Sequence, residues 1–195
     1  MSNRSILGVD PGRSNGAAVL LTAHNEVAAW WTWCLMARKG GDVWRVSQGL
    51  TGDCDNVAAM WEVGDLISGQ LIYDGMTNQP IAKLSLEGLF VPRLRRGKPV
   101  NPQSVIPLAE AAGELVGGLR MTPAHRPLAT EWRSRQIGLR RGASADAAEA
   151  AAVRMAPHAF TWPKDAGIEA APTKAERGAL AEAAYIARDG WVSLA

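Results

Sequence analysis

Residues 6–20, ILGVDPGRSNGAAVL, constrain the fold more than any other stretch. Ile6 to Val9 is a continuous apolar run, the pattern of a strand buried on both faces. It ends on a carboxylate, Asp10, and Pro11 and Gly12 break it at once. A second apolar run from Ala17 to Thr22 reads as a strand, so the two predict a hairpin whose turn has glycines at both ends, Gly12 and Gly16. A lone acid at the tip of a buried strand is costly unless it is neutralised, because a desolvated charge is stable only when paired.

The pattern continues along the chain. VAAWWTWCL, residues 27–35, predicts a third strand with Trp31 and Trp33 on one face and Trp30 on the other. Residues 37–53 are charged and glycine-rich and predict a loop or an insertion. Residues 55–73 have helical spacing, with Val57, Met60, Trp61, Leu66, Ile67 and Leu71 as an apolar stripe and Asp55 as N-cap. Ile81–Glu87 reads as a fourth strand that again ends on an acid. A basic loop spans 88–100, and Asn101 or Ser104 opens a helix through Leu119, with Leu108, Ala112, Leu115 and Leu119 on one side. Leu128–Thr130 predicts a short fifth strand, followed by helices over 144–155 and 173–188. Three adjacent strands before an alternating β/α half argue for an α/β fold, a mixed five-stranded sheet flanked by helices. At 195 residues the expectation is a single domain spanning 1–195.

Strands one and four can be neighbours in such a sheet, which would bring Asp10 and Glu87 to one edge. Two carboxylates about 4 Å apart repel by roughly 4 kcal/mol at an effective dielectric of 20. A cation or shared protons must offset that, and magnesium, which takes hard oxygen ligands and keeps waters, is the natural choice. Either acid alone could instead cap a turn or pair with an arginine.

Bulk composition narrows the class further. There is no run of 18 apolar residues, so no membrane span is expected. MSNRSILGVD leads straight into a strand, so no signal peptide is expected and a cytoplasmic location is. Cys34 and Cys54 form no CxxC pair, and reduced core thiols are the expected state. Net charge is only +2, but the arginines are clustered. RLRRGK carries Arg93, Arg95, Arg96 and Lys98, and RSRQIGLRR carries Arg133, Arg135, Arg140 and Arg141. Two such clusters in a nearly neutral chain mark a phosphate-binding face, with a solvated loop as the plainer reading.

GVDPG with a following glycine, SLEGLFVPR and NPQSVIPLAEAAGEL, taken in order, resemble the RuvC-type Holliday junction resolvases and their phage relatives in the RNase H-like superfamily. The ordered matches cover almost the whole chain. The resemblance implies a metal-dependent endonuclease acting on branched DNA in recombination, repair or phage DNA processing. It also implies a homodimer matching the two-fold symmetry of a four-way junction. Mg2+ is the implied cofactor, with Mn2+ able to substitute. Asp10 would bridge two ions and Glu87 would hold one of them.

The resemblance requires a third acid on the last helix, and two segments compete. KAERGALAEAAYIARDGW offers Glu182, with Glu176 earlier in the same helix. SADAAEAAAVRM offers Asp146 and Glu149. The order of helices after the fifth strand favours Glu182, making Asp10, Glu87 and Glu182 the expected catalytic and metal-binding set. The resolvases carry a further acid or histidine three residues earlier, where this chain has Ala179. The basic residues at 93–98 and 133–141 would contact phosphates, and Phe90 would stack at the branch point or pack in the core. Trp30, Trp31, Trp33, Trp44 and Trp61 read mainly as core, with helix 55–73 available for a dimer interface. His24, His125 and His158 are scattered and carry no assigned chemistry. A non-catalytic DNA-binding relative is the main competing class. An actin-like kinase or ATPase shares the first motif but requires a second, similar domain, for which this length leaves no room.

Overall fold

The structure, a computed structural model, describes residues 5–12, 14–73, 81–88, 102–140 and 143–193. The first hairpin forms as expected. β1 (Ser5–Asp10) pairs antiparallel with β2 (Asn15–Thr22), with Val9 opposite Ala18. β3 (Val27–Met36), β4 (Val43–Gln48) and β5 (Cys54–Val57) continue the antiparallel meander. After α1 (Met60–Tyr73) the chain crosses back, and β6 (Ile81–Leu86) joins the other side of β1 in parallel. α2 (Pro102–Leu119) leads to β7 (Pro123–His125), which pairs parallel with β6. α3 (Ala129–Ile137), α4 (Ala145–Ala159) and α5 (Lys174–Val192) follow. Among the described residues the result is one mixed sheet, ordered β5-β4-β3-β2-β1-β6-β7, with helices on both faces.

The two faces bury different halves of each strand. Ile6, Val19, Leu21 and Trp30 pack against α4 and α5, while Leu7, Leu20, Trp31 and Trp33 pack against α1 and α2. This is the alternation of a pleated strand carried into two separate cores. α5 comes unusually close to the sheet. A Cβ on Gly8 would collide with the backbone of Ala183 and Ala187. Glycine on β1 and alanines on α5 together allow that approach.

Several expectations need correction. The sheet has seven described strands, not five, because residues 37–53 contain β4 rather than a loop and β5 takes the start of the expected helix 55–73, which begins only at Met60. VWRVSQ alternates, with Trp44 and Val46 in the core and Arg45 on the opposite face. Asp55 lies in β5 and does not cap α1. Glu62 does so, accepting from the N–H groups of Ala58 and Ala59 at 2.6 and 3.0 Å. The last strand is Pro123–His125, not Leu128–Thr130. Leu128 instead leads into α3, its N–H held by Glu131 at 3.0 Å. α1 buries Met60, Val63, Ile67 and Leu71, which leaves Trp61 51% exposed while Trp30, Trp31, Trp33 and Trp44 are buried. Gly16 sits within β2, paired with Trp33, rather than closing a turn, and the Trp33 ring fills the place of a Cβ there. The cysteines are free but not core residues, since Cys54 is exposed and Cys34 only half-buried. No described helix is long and apolar enough to cross a membrane.

Candidate metal centre

Three elements converge at one end of β1. Its register with β6 sets Val9 beside Leu86, and the Glu87 N–H donates to the Val9 carbonyl at 3.0 Å. Asp10 and Glu87 therefore leave the sheet side by side. Asp10 has the parity of Ile6 and Gly8, so it faces the α5 layer. On that layer Ser85 donates through Oγ to the Ile186 carbonyl at 3.0 Å, fixing the helix along β6. Glu182, one turn before Ile186, is thereby held over the two strand-end acids. One ligand oxygen each from Asp10, Glu87 and Glu182 lies within 4.8 Å of the others.

Burial acts on all three acids, and repulsion from neighbouring carboxylates adds to it at Asp10 and Glu182. Loss of water raises the Asp10 carboxyl well above the ordinary range, and the charges of Glu87 and Glu182 raise it further. Arg133 and the Gly12 N–H oppose that rise only in part. Glu87 is raised chiefly by burial, against a hydrogen bond from Trp132 and the charge of Arg133. Glu182 is pushed up to about 7, again mainly by burial, with Glu87 and Glu149 adding repulsion and Arg133 opposing. These are the signs of a site with more negative charge than its surroundings balance.

α3 supplies the side-chain compensation seen among the described residues. Trp132 Nε1 donates to Glu87 Oε1 at 3.0 Å. Arg133 Nη2 donates to both Glu182 oxygens, at 2.8 and 3.0 Å, and its guanidinium lies 5.2 Å from the centre of the Trp132 ring. Trp132 also stacks on Tyr185 of α5, ring centres 6.3 Å apart and planes 9° apart. Farther along α5, the fully buried Asp189 anchors the same helix. It accepts from Arg135 at 2.9 and 2.6 Å and from Gln136 at 3.1 Å, and pairs with His125 at 3.0 Å. Those hydrogen bonds hold the Asp189 carboxyl below its usual range despite burial.

The remaining expected residues are placed apart from the centre or outside the description. Glu176 is not part of the cluster. It is fully buried near the start of α5, bound by Arg45 at 3.0 and 3.2 Å and by the Thr173 hydroxyl at 2.6 Å. The helix is regular from Lys174, so Glu176 lies well short of Glu182 and turns to β4. Asp146 is exposed in the first turn of α4. Glu149 packs over Gly178, where a Cβ would meet its carboxylate, and reaches Glu182 only through its field. Arg135 is engaged by Asp189, and Arg140 is exposed. Phe90, Arg93, Arg95, Arg96, Lys98 and Arg141 lie outside the described residues.

Sequence reasoning missed Trp132 as a ligand of Glu87, and missed the Asp189 anchor with His125 and Gln136. The available signal was the WRSRQ run of α3, a tryptophan among polar residues, set against an acid near the end of an alanine-rich helix. Comparison with protein-family models, curated proteins and solved structures finds no match for this chain.

Proposed function

We propose that this chain is a metal-dependent, structure-selective endodeoxyribonuclease of RNase H-like architecture that hydrolyses phosphodiesters in four-way or otherwise branched DNA. The observation that carries the proposal is the convergence of Asp10, Glu87 and Glu182, from three separate elements, within 4.8 Å. The donor set fits a hard divalent cation, since among the described residues three carboxylates face one guanidinium and all three are raised by burial. Asp10, Glu87 and Glu182 would hold Mg2+. Bound there, the cation would supply a hydroxide at neutral pH and stabilise the developing charge on the leaving oxygen.

The protein's own contribution is placement. β1 and β6 hold two acids on a rigid sheet, and the Pro11–Gly12 turn keeps the backbone beside Asp10 free of bulky side chains. The strand order β3-β2-β1-β6-β7 is compatible with the mixed five-stranded sheet of the resolvases, with β4 and β5 as an extension. The arginines at 93–96, with Arg140 and Arg141, supply positive charge for a DNA backbone, while Arg133 and Arg135 are engaged by Glu182 and Asp189. A symmetric junction would call for a dimer of this chain.

A non-catalytic DNA-binding relative is the second reading, favoured by Arg133, which already neutralises one of the three acids. One assay separates the two. Synthetic four-way junctions, flaps, forks and linear duplex are incubated with the protein and Mg2+. Cleavage of branched substrates that D10N abolishes, with binding retained, supports the nuclease. Binding without cleavage supports the second reading, and neither binding nor cleavage overturns both.

A further inference from the structure

The hold of Arg133 on Glu182 is lopsided. Both oxygens accept from the same nitrogen, Nη2, at 2.8 and 3.0 Å, rather than from two nitrogens of the fork. Its Nε is buried with no partner among the described residues. The guanidinium keeps a second attachment, its stack on Trp132, that does not depend on Glu182. A cation so placed satisfies the acid while leaving much of its own hydrogen-bonding capacity unused.

We infer that Arg133 is a resident counter-cation at Glu182 that divalent-metal binding displaces, and that the displaced guanidinium, still stacked on Trp132, then receives a phosphate oxygen of the DNA. The inference rests on the metal-centre reading above. In the metal-free chain Arg133 offsets part of the charge of the three acids, and its contact with Trp132 keeps it beside the site once it leaves Glu182. Loading the site frees the guanidinium and contact with a phosphate follows it, so the two halves of the inference stand or fall on separate measurements.

The test uses the full chain and Mg2+ alone, followed by calorimetry. R133Q is expected to bind Mg2+ about tenfold tighter than the unaltered protein, since the competing hydrogen bonds are gone. Equal or weaker binding overturns the displacement. If R133Q does not fold, the unaltered protein still decides. The Arg133 Nε–H resonance must shift on Mg2+ saturation, and an unmoved resonance refutes displacement. For the phosphate step, four-way junction binding by the Mg2+-loaded protein is measured against salt. R133Q should lower the slope of log K on log salt by about 0.9, one phosphate contact, and an unchanged slope refutes it. D10N distinguishes the underlying reading. Loss of Mg2+ binding in D10N keeps the metal centre, whereas binding as tight as in the unaltered chain removes it and this inference together.

Discussion

Trp132 Nε1 donates to Glu87 Oε1 across the gap between α3 and the end of β6. A fully buried indole thus spends its one polar group on an acid whose charge burial opposes. W132F keeps a ring against Tyr185 and removes the donor. We expect a loss of about 2 kcal/mol at pH 8, since a hydrogen bond to a charged group is worth about that much. The loss should be smaller at pH 4, where protonated Glu87 has less need of the donor. Urea denaturation of the metal-free protein at both pH values checks it.

Glu182 contributes to the pH dependence of the metal-free protein with an unusual sign. Glu182 binds its proton more tightly folded, at about 7, than unfolded, near 4.5. Between those values the folded state holds more protons, so stability must fall as pH rises. The fall from this group is about 3 kcal/mol, complete above pH 7. E182Q should flatten the slope, and saturating Mg2+ should restore stability at pH 8. Denaturation in EDTA from pH 4.5 to 8 measures both, and stability that climbs over that range would contradict the burial of Glu182.

Asp189 has the opposite sign. Its carboxyl is held low by Arg135, His125 and Gln136, so the stability it gives is present above the unfolded value of 3.8 and is lost as pH falls through its folded value. D189N should cost about 3 kcal/mol at neutral pH, as expected for a buried ion-pair partner removed. The cost should shrink in strong acid. Because Arg135 lies on the helix that carries Trp132 and Arg133, D189N should also broaden the Trp132 side-chain NMR signal.

Gly8 sets how near α5 comes to β1. G8A places a methyl against the backbone of Ala183 and Ala187, where no rotamer change can relieve the clash. We expect about 3 kcal/mol of destabilisation by overpacking. G69A, where a Cβ meets nothing, is the control and should be neutral or slightly stabilising. Thermal melts of the two variants check the difference.

How far the sequence disclosed this arrangement depends on which physical signal each residue carried. The β1–β2 hairpin, β3 and the helices α2, α4 and α5 were legible because apolar periodicity there is strong and unbroken. β5 was not, since CDNV has one apolar residue beyond its cysteine and rests on pairing with β4. α3 was read as a basic segment because only Trp132 and Ile137 are buried, too few to register as a stripe. Asp10 and Glu87 stood out as acids closing apolar runs, a local signal. Glu182 had to be chosen over Asp146 and Glu149 by the order of helices. The partners of the acids, Trp132 and Arg133, come from a helix remote in sequence; the WRSRQ run marked them as unusual, but which acid each one meets is set by the fold.

The closeness of α5 to the sheet has a consequence for the making of the protein. Strands β1 to β3 and β6 leave the ribosome well before α5, and domains fold largely as the chain emerges. Until α5 docks, Asp10 and Glu87 stand uncovered at the ends of two interior strands, without Glu182. An incomplete chain therefore carries two thirds of the acids but no assembled centre. For the proposed nuclease, a half-made copy near DNA is inert, and hazard arrives only once α5 has docked.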